Sequence, residues 1–208
     1  PEGLTRSFLT NSGTEAIEAA LKFARAATGR AKIVAAKRAY HGRTMGALAA
    51  TADPKYRKPF APFGQEVTHV TFDDVDSLEA AIDDETAALI LEPIQGEAGI
   101  YVASDEYLQA AREATTRHGA LLIADEVQSG FRTGAPFAIA ASGVVPDLLC
   151  TAKGLGNGFP IGLTMTSEAV SAALPAGTHG TTFGGNPLAA RAAVATLTVL
   201  RERNLYAQ

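Results

Sequence analysis

Apolar residues between Thr14 and Thr28 fall at Ile17, Ala20, Leu21, Ala24 and Ala27, close to a 3.6-residue period. That spacing predicts a helix with one buried face, for which Thr14 is available as N-cap and Gly29 as terminator. The pattern then changes. Lys32–Ala36, Val67–Thr71, Ala87–Leu91, Ala120–Ala124 and Leu148–Thr151 are short, nearly continuous apolar runs, as expected of strands buried on both faces. A strand-like stretch, Phe8-Leu9-Thr10, precedes the first helix. Helical stretches at about 75–83, 104–118 and 187–203 complete the alternation. It predicts the α/β class, a three-layer αβα arrangement around a mostly parallel, mixed sheet. Such sheets bind ligands beyond the carboxyl ends of their strands. Asp53-Pro54 signals a turn, and the residues from there to Gln65, with the Pro-rich Pro59–Gly64, read as one long loop. No repeat or low-complexity tract divides the chain, so a single domain over residues 1–208 is expected.

Composition narrows the function classes. With 208 residues, 47% hydrophobic and 19% charged, the chain can bury a sizeable core and is neither disordered nor collagen-like. A net charge of -4 supplies no basic field for nucleic acid or anionic lipid. Cys150 is the sole cysteine, which excludes an intrachain disulfide and a cysteine-ligated cluster and points to a reducing, cytoplasmic setting. No apolar run approaches the roughly 20 residues needed to cross a bilayer. The opening residues lack a basic-then-apolar export signal, so no membrane or secretory role is expected. His41, His69, His118 and His179 are scattered without zinc-site spacing, and no metal site is expected. Neither a Gly-x-Ser-x-Gly elbow nor a Walker-type loop is present.

Four segments carry candidate chemistry. Lys153 is the only lysine after Lys58, directly follows the run Leu148–Thr151, and precedes the loop Gly154-Leu155-Gly156-Asn157-Gly158. A lysine desolvated at a strand end can serve Schiff-base chemistry; the plainer reading is a surface lysine beside a Gly-rich turn. Asp125 and Glu126 close another strand, where a buried carboxylate requires a partner. A protonated heterocyclic nitrogen would serve, as would a helix cap or Arg132. The segment Asn11-Ser12-Gly13-Thr14-Glu15 opens the first helix and suits a phosphate, or only a cap. Tyr40-His41-Gly42-Arg43 offers an aromatic face, an imidazole and a guanidinium suited to carboxylate, against the plainer reading of a packed tyrosine with a solvated arginine.

Six motifs in order resemble the class III pyridoxal-phosphate aminotransferases: Asn-Ser-Gly-Thr-Glu-Ala at 11–16, Tyr-His-Gly-Arg-Thr at 40–44, Glu-Pro-Ile-Gln-Gly-Glu at 92–97, Asp-Glu-Val-Gln at 125–128, Ala-Lys-Gly-Leu-Gly at 152–156 and Thr-Thr-Phe-Gly-Gly-Asn-Pro at 181–187. The match spans nearly the whole chain and looks most like the acetylornithine and ornithine aminotransferase branch. The resemblance implies a fold-type I large domain that binds pyridoxal 5'-phosphate. Lys153 would hold the cofactor as a Schiff base and later shuttle a proton, and Asp125 would pair with its ring nitrogen. Gln128 would bond the ring hydroxyl and Tyr40 would stack on the ring, with His41 and Val127 in the same binding set. Ser12, Gly13 and Thr14 would grip the phosphate, and Thr182 would reach the phosphate of a partner subunit, making a homodimer with shared sites. Arg43 resembles the arginine that holds a substrate carboxylate, Thr181 lies beside the site, and Glu97 matches a glutamate that gates a second arginine.

The implied reaction moves the terminal amino group of an acetylornithine-like donor to 2-oxoglutarate, in arginine or lysine biosynthesis. Ornithine and 4-aminobutyrate are alternative donors, and a catalytically silent scaffold is the alternative outside enzymology. Departures from the branch are Tyr40 where Phe is more usual, Ile17 where Asn is, and Asn157 where Gly is. The related glutamate-semialdehyde aminomutases share the Asp-Glu-Val but usually lack the residues equivalent to Gln128 and the Gln-Gly-Glu. The chain begins at Pro1 and enters a strand-like stretch at once, which predicts the central cofactor domain of a longer enzyme, without an N-terminal segment and a C-terminal small domain.

Overall fold

Alternation inside each apolar run decides which layer its side chains join. In the computed structural model, which describes residues 2–207, the strands are β1 (Arg6–Thr10), β2 (Lys32–Ala36), β3 (Val67–Val70), β4 (Thr86–Leu91), β5 (Ile94–Gln95), β6 (Tyr101–Val102), β7 (Leu121–Asp125), β8 (Leu148–Thr151) and β9 (Gly162–Thr166). Pro1 and Gln208, the ends of the expected domain, lie outside the described residues. The helices are α1 (Gly13–Thr28), α2 (Met45–Ala50), α3 (Pro54–Arg57), α4 (Val75–Glu79), α5 (Asp105–His118), α6 (Glu168–Ala172) and α7 (Pro187–Glu202). Seven strands form one sheet in the order β1-β9-β8-β7-β4-β2-β3, and β5 and β6 form a small hairpin. The pairs β3–β2, β2–β4, β4–β7 and β7–β8 are parallel, while β9 runs antiparallel to both of its neighbours.

On one face Val34, Leu89, Leu91, Leu122, Ala124 and Leu149 pack with Tyr107, Leu108 and Ala111 of α5. On the other, Ile33, Ala35, Ile90, Ile123, Leu148 and Cys150 pack with Ile17, Ala20, Leu21 and Ala24 of α1. Successive strand residues thus enter opposite cores, the period-2 consequence of a pleated strand, and the expected three-layer fold is present. No helix among the described residues is long and apolar enough to cross a membrane.

Three local expectations are corrected, and one strand had no counterpart among them. Ser12, not Thr14, caps α1: its backbone is extended (φ -156°, ψ 164°) and its hydroxyl accepts from the Glu15 N–H at 3.4 Å, whereas Thr14 is already helical. The loop expected from Asp53 to Gln65 contains α3 and a 3-10 turn, Lys58–Phe60. Asp53 caps α3 and Pro54 occupies its first turn, where the missing proline N–H costs nothing. The helix expected over 75–83 ends at Glu79. Strand β9 gave no apolar run because its buried positions include Thr164, whose hydroxyl donates to the Ala16 carbonyl at 2.8 Å.

Candidate active site

Parallel register brings the candidate residues to one edge of the sheet. Asp125, the last residue of β7, stands opposite Cys150 of β8, and Lys153 follows the end of β8 by two residues. Lys153 begins a 3-10 turn with φ 28°, in the left-handed region that non-glycine residues seldom occupy. Lys153 is exposed. Partial burial nevertheless lowers the ammonium's pKa from the usual lysine value, against the opposing pull of Asp125, Glu97 and Glu92.

Asp125 is 3% exposed. Its Oδ2 lies 2.7 Å from His41 Nδ1, and its Oδ1 accepts from the Val127 N–H at 3.0 Å. The partner is therefore His41 rather than Arg132, and the carboxylate is fixed in orientation. Burial acts to lower the pKa of His41, but the hydrogen bond and charge of Asp125 outweigh it and raise the imidazole. Among the described residues, His41 Nε2 is buried without a hydrogen-bond partner. Glu126 turns away: its carboxylate accepts from the Ile139 N–H at 2.8 Å and from Ser129. The adjacent acids thus have separate tasks, Asp125 at the ligand edge and Glu126 anchoring the following loop.

The start of α1 meets this edge at close range. A Cβ on Gly13 would sit 2.7 Å from Val127 Cγ1, and one on Gly42 would sit 2.3 Å from Thr14 Oγ1. Only glycines allow the helix start, Val127 and the Tyr40–Arg43 segment to touch in this way. Thr14 Oγ1 also lies 2.7 Å from Thr44 Oγ1. Gln128 packs on the turn after β5, where a Cβ on Gly96 would be 3.3 Å from its Cδ.

Tyr40 and Arg43 form a second group. Arg43 Nε donates to the Tyr40 hydroxyl at 3.1 Å, and the guanidinium lies 4.5 Å from the Tyr56 ring centroid. Tyr40 and Tyr56 meet edge to face at 5.7 Å. The exposed Glu97 is close enough for its charge to act on both Arg43 and Lys153. Tyr40 and Glu97 also line a cavity of about 590 Å³ with Lys37, Arg38, Tyr56 and Arg57, which does not include Lys153 or Asp125. Thr181 and Thr182 line a different cleft, of about 360 Å³, beside Asn11 and Glu15. Asn11 Nδ2 donates to Thr181 Oγ1 at 3.0 Å, while Thr182 is exposed.

Sequence reasoning quoted Glu92 and Gln95 only as letters of a motif. Both are buried. Glu92 Oε2 accepts from the Tyr40 N–H at 3.0 Å, and Gln95 Nε2 donates to the Lys37 carbonyl at 2.9 Å. Their position after the apolar run Ala87–Leu91 was the available signal, as it was for Asp125 at the end of β7.

A family model described as aminotransferase class-III matches residues 1–208. The chain is 50% identical over 206 residues to the acetylornithine aminotransferase of Methanopyrus kandleri, covering 99% of this chain and 53% of that protein. It is 54% identical over 202 residues to the acetylornithine aminotransferase of Mycobacterium tuberculosis, covering 97% and 50%. Among solved structures, the ornithine aminotransferase from Toxoplasma gondii superposes with a TM-score of 0.94 at 40% identity, covering 99% of this chain and 51% of that one. The chain spans about half the length of the curated relatives it matches.

Proposed function

The chain belongs to the class-III aminotransferase family, and from that premise we propose that it forms the pyridoxal-phosphate-binding part of a transaminase. The reaction moves the terminal amino group of an acetylornithine-like donor to 2-oxoglutarate, in arginine or lysine biosynthesis. One arrangement carries this reading: Lys153 and Asp125 leave adjacent parallel strands at the same edge, with Asp125 held by His41 and Val127. The lone, buried Cys150 thiol suits a reducing cytoplasm.

The residues fit the cofactor. Each Asp125 oxygen has one donor, leaving lone pairs for a protonated ring nitrogen. The first N–H groups of α1, at Gly13 and Thr14, have no intrahelical acceptor and suit a phosphate together with the Ser12 and Thr14 hydroxyls. When bound, pyridoxal phosphate supplies an electron sink for the substrate carbon that loses its proton.

The chain's own groups then divide the work. Desolvation leaves Lys153 Nζ a larger neutral fraction, so it can hold the cofactor covalently and, once freed, take the proton from the substrate carbon and return it. Asp125, backed by His41, would hold a proton at the ring nitrogen. Tyr40 and Val127 would exclude water from the ring, and Gln128 would offer a hydrogen bond to the ring hydroxyl. Arg43 has its Nε engaged by Tyr40, which leaves its Nη edge for a substrate carboxylate. Thr181 and Glu97 border the substrate, and Thr182 serves the site of a partner subunit in a homodimer.

The likeness to the ornithine aminotransferase structure supports ornithine as the second reading of the donor. Borohydride reduction in the presence of pyridoxal phosphate, followed by peptide mass spectrometry, tests the cofactor assignment. The label is expected on the peptide containing Lys153, and labelling at another lysine overturns it.

A further inference from the structure

Strands β4 and β7 are parallel neighbours with Leu91 opposite Ala124. The residues that follow, Glu92 and Asp125, therefore leave the sheet side by side, and they are only 2% and 3% exposed. Two carboxylates in so dry a place cannot both be anionic without compensating charge or donors. Asp125 has His41 Nδ1 and the Val127 N–H. Among the described residues, Glu92 has one hydrogen bond, from the Tyr40 N–H, the residue next to His41. Gln95 Nε2 holds the Lys37 carbonyl, so residues 92–95 strap the 37–41 segment at two points. His41 is pinned again where its N–H donates to Thr51 Oγ1 at 2.9 Å.

We propose that Glu92 is a positioning residue of the ring site: its carboxyl clamps the Tyr40–His41 segment beside the His41–Asp125 pair, and its charge acts on His41. The inference rests on the cofactor reading for the identity of the ring, but the clamp and the coupling belong to the protein itself. The charged groups that act on Glu92 are His41 from the segment after β2, Asp125 from the end of β7, and Lys153 from the turn after β8. Burial raises the Glu92 carboxyl to about 7, helped by Asp125 and opposed by His41 and Lys153. Its charge therefore changes across neutral pH. The ionised form supports the proton on His41, and the neutral form withdraws that support.

The test uses the cofactor-free protein. Imidazole signals are followed by NMR against pH in the wild type and in Glu92→Gln, which keeps an acceptor for the Tyr40 N–H and removes the titration. His41 is expected to lose its proton roughly one pH unit lower in Glu92→Gln, the size of shift produced by removing a nearby opposite charge. Amide exchange at Tyr40 is expected to stay near the wild-type rate in Glu92→Gln and to rise on the order of tenfold in Glu92→Leu, the loss of about one hydrogen bond. An unchanged His41 titration in Glu92→Gln overturns the coupling, and unchanged Tyr40 exchange in Glu92→Leu overturns the clamp. If Glu92→Leu does not fold, the Glu92→Gln titration decides alone. Neither readout needs cofactor, so a failed borohydride label at Lys153 would remove the proposed function while these two measurements still judge Glu92.

Discussion

At Asp125 a carboxylate is held in place by His41 and the Val127 amide before any ligand arrives. Substituting Asp125→Asn keeps the shape and one acceptor but removes the charge that would hold a proton on a ring nitrogen. Cofactor binding should be retained in large part while turnover falls by several orders of magnitude, because the electron sink matters more in the transition state than in the ground state. Stopped-flow half-reactions beside equilibrium cofactor binding separate the two quantities, and unchanged turnover rejects the role. Glu92 carries a further consequence, for stability. Its folded pKa, raised by burial to about 7, lies above the ordinary carboxyl value, so the folded state holds the proton more tightly than the unfolded chain. That contribution is complete below the unfolded value and is lost as pH rises through about 7. His41, whose pKa is also raised despite burial, acts in the same direction above its own ordinary range. Thermal stability should fall between about pH 5 and pH 8, the window set by these two groups. Glu92→Gln should flatten that fall, which differential scanning calorimetry across the range will show.

The junction of α1 with the Tyr40–Arg43 segment depends on glycine. Gly42 has φ 132°, and a Cβ there would stand 2.3 Å from Thr14 Oγ1 and 3.1 Å from its Cα. Gly42→Ala should therefore cost about 1–3 kcal/mol through strain and overpacking, and it should weaken phosphate binding by spreading the helix start from its neighbour. Gly64→Ala, where nothing lies within 4 Å, is the matched control and should leave thermal melting and cofactor affinity near wild type. The elements themselves were largely legible: β2, β4, β7 and β8 are apolar except at one end residue each, because both faces are covered, and α1 and α5 carry a periodic stripe. What stayed hidden was polar or local. Strand β9 buries threonines, and α3 starts with a proline that reads equally as a turn. The ion pair of Asp125 joins residues 84 positions apart; spacing alone suggested Arg132, seven residues away. The motifs named the ligand-edge residues, but the clamp made by Glu92 and Gln95 depends on register between strands, which a single sequence does not display.

Across the whole molecule, the candidate residues fall into three groups. Lys153, Asp125, His41 and Val127 gather at the carboxyl edge of the sheet, Tyr40 and Glu97 line the cavity of about 590 Å³ that does not include Lys153 or Asp125, and Thr181 and Thr182 line the cleft beside Asn11. Phe183, next to Thr182, is 69% exposed, and Leu188 at the start of α7 is 71% exposed. Under the proposed homodimer, in which Thr182 serves the partner subunit's phosphate, cofactor affinity would be a property of the assembled dimer. Mass action then predicts that the apparent dissociation constant for pyridoxal phosphate falls as protein concentration rises, until dimerisation is complete. Thr182→Ala should abolish that dependence while leaving the borohydride label at Lys153 intact. The chain spans about half the length of its curated relatives, so substrate orientation is expected to draw on further residues of that length. Half-reactions with acetylornithine, ornithine and 4-aminobutyrate should accordingly be slow in this chain and faster in a form extended to the relatives' length, with acetylornithine the best donor. A monomer of the present chain with concentration-independent cofactor affinity and a rapid half-reaction would show that the site is complete within one subunit.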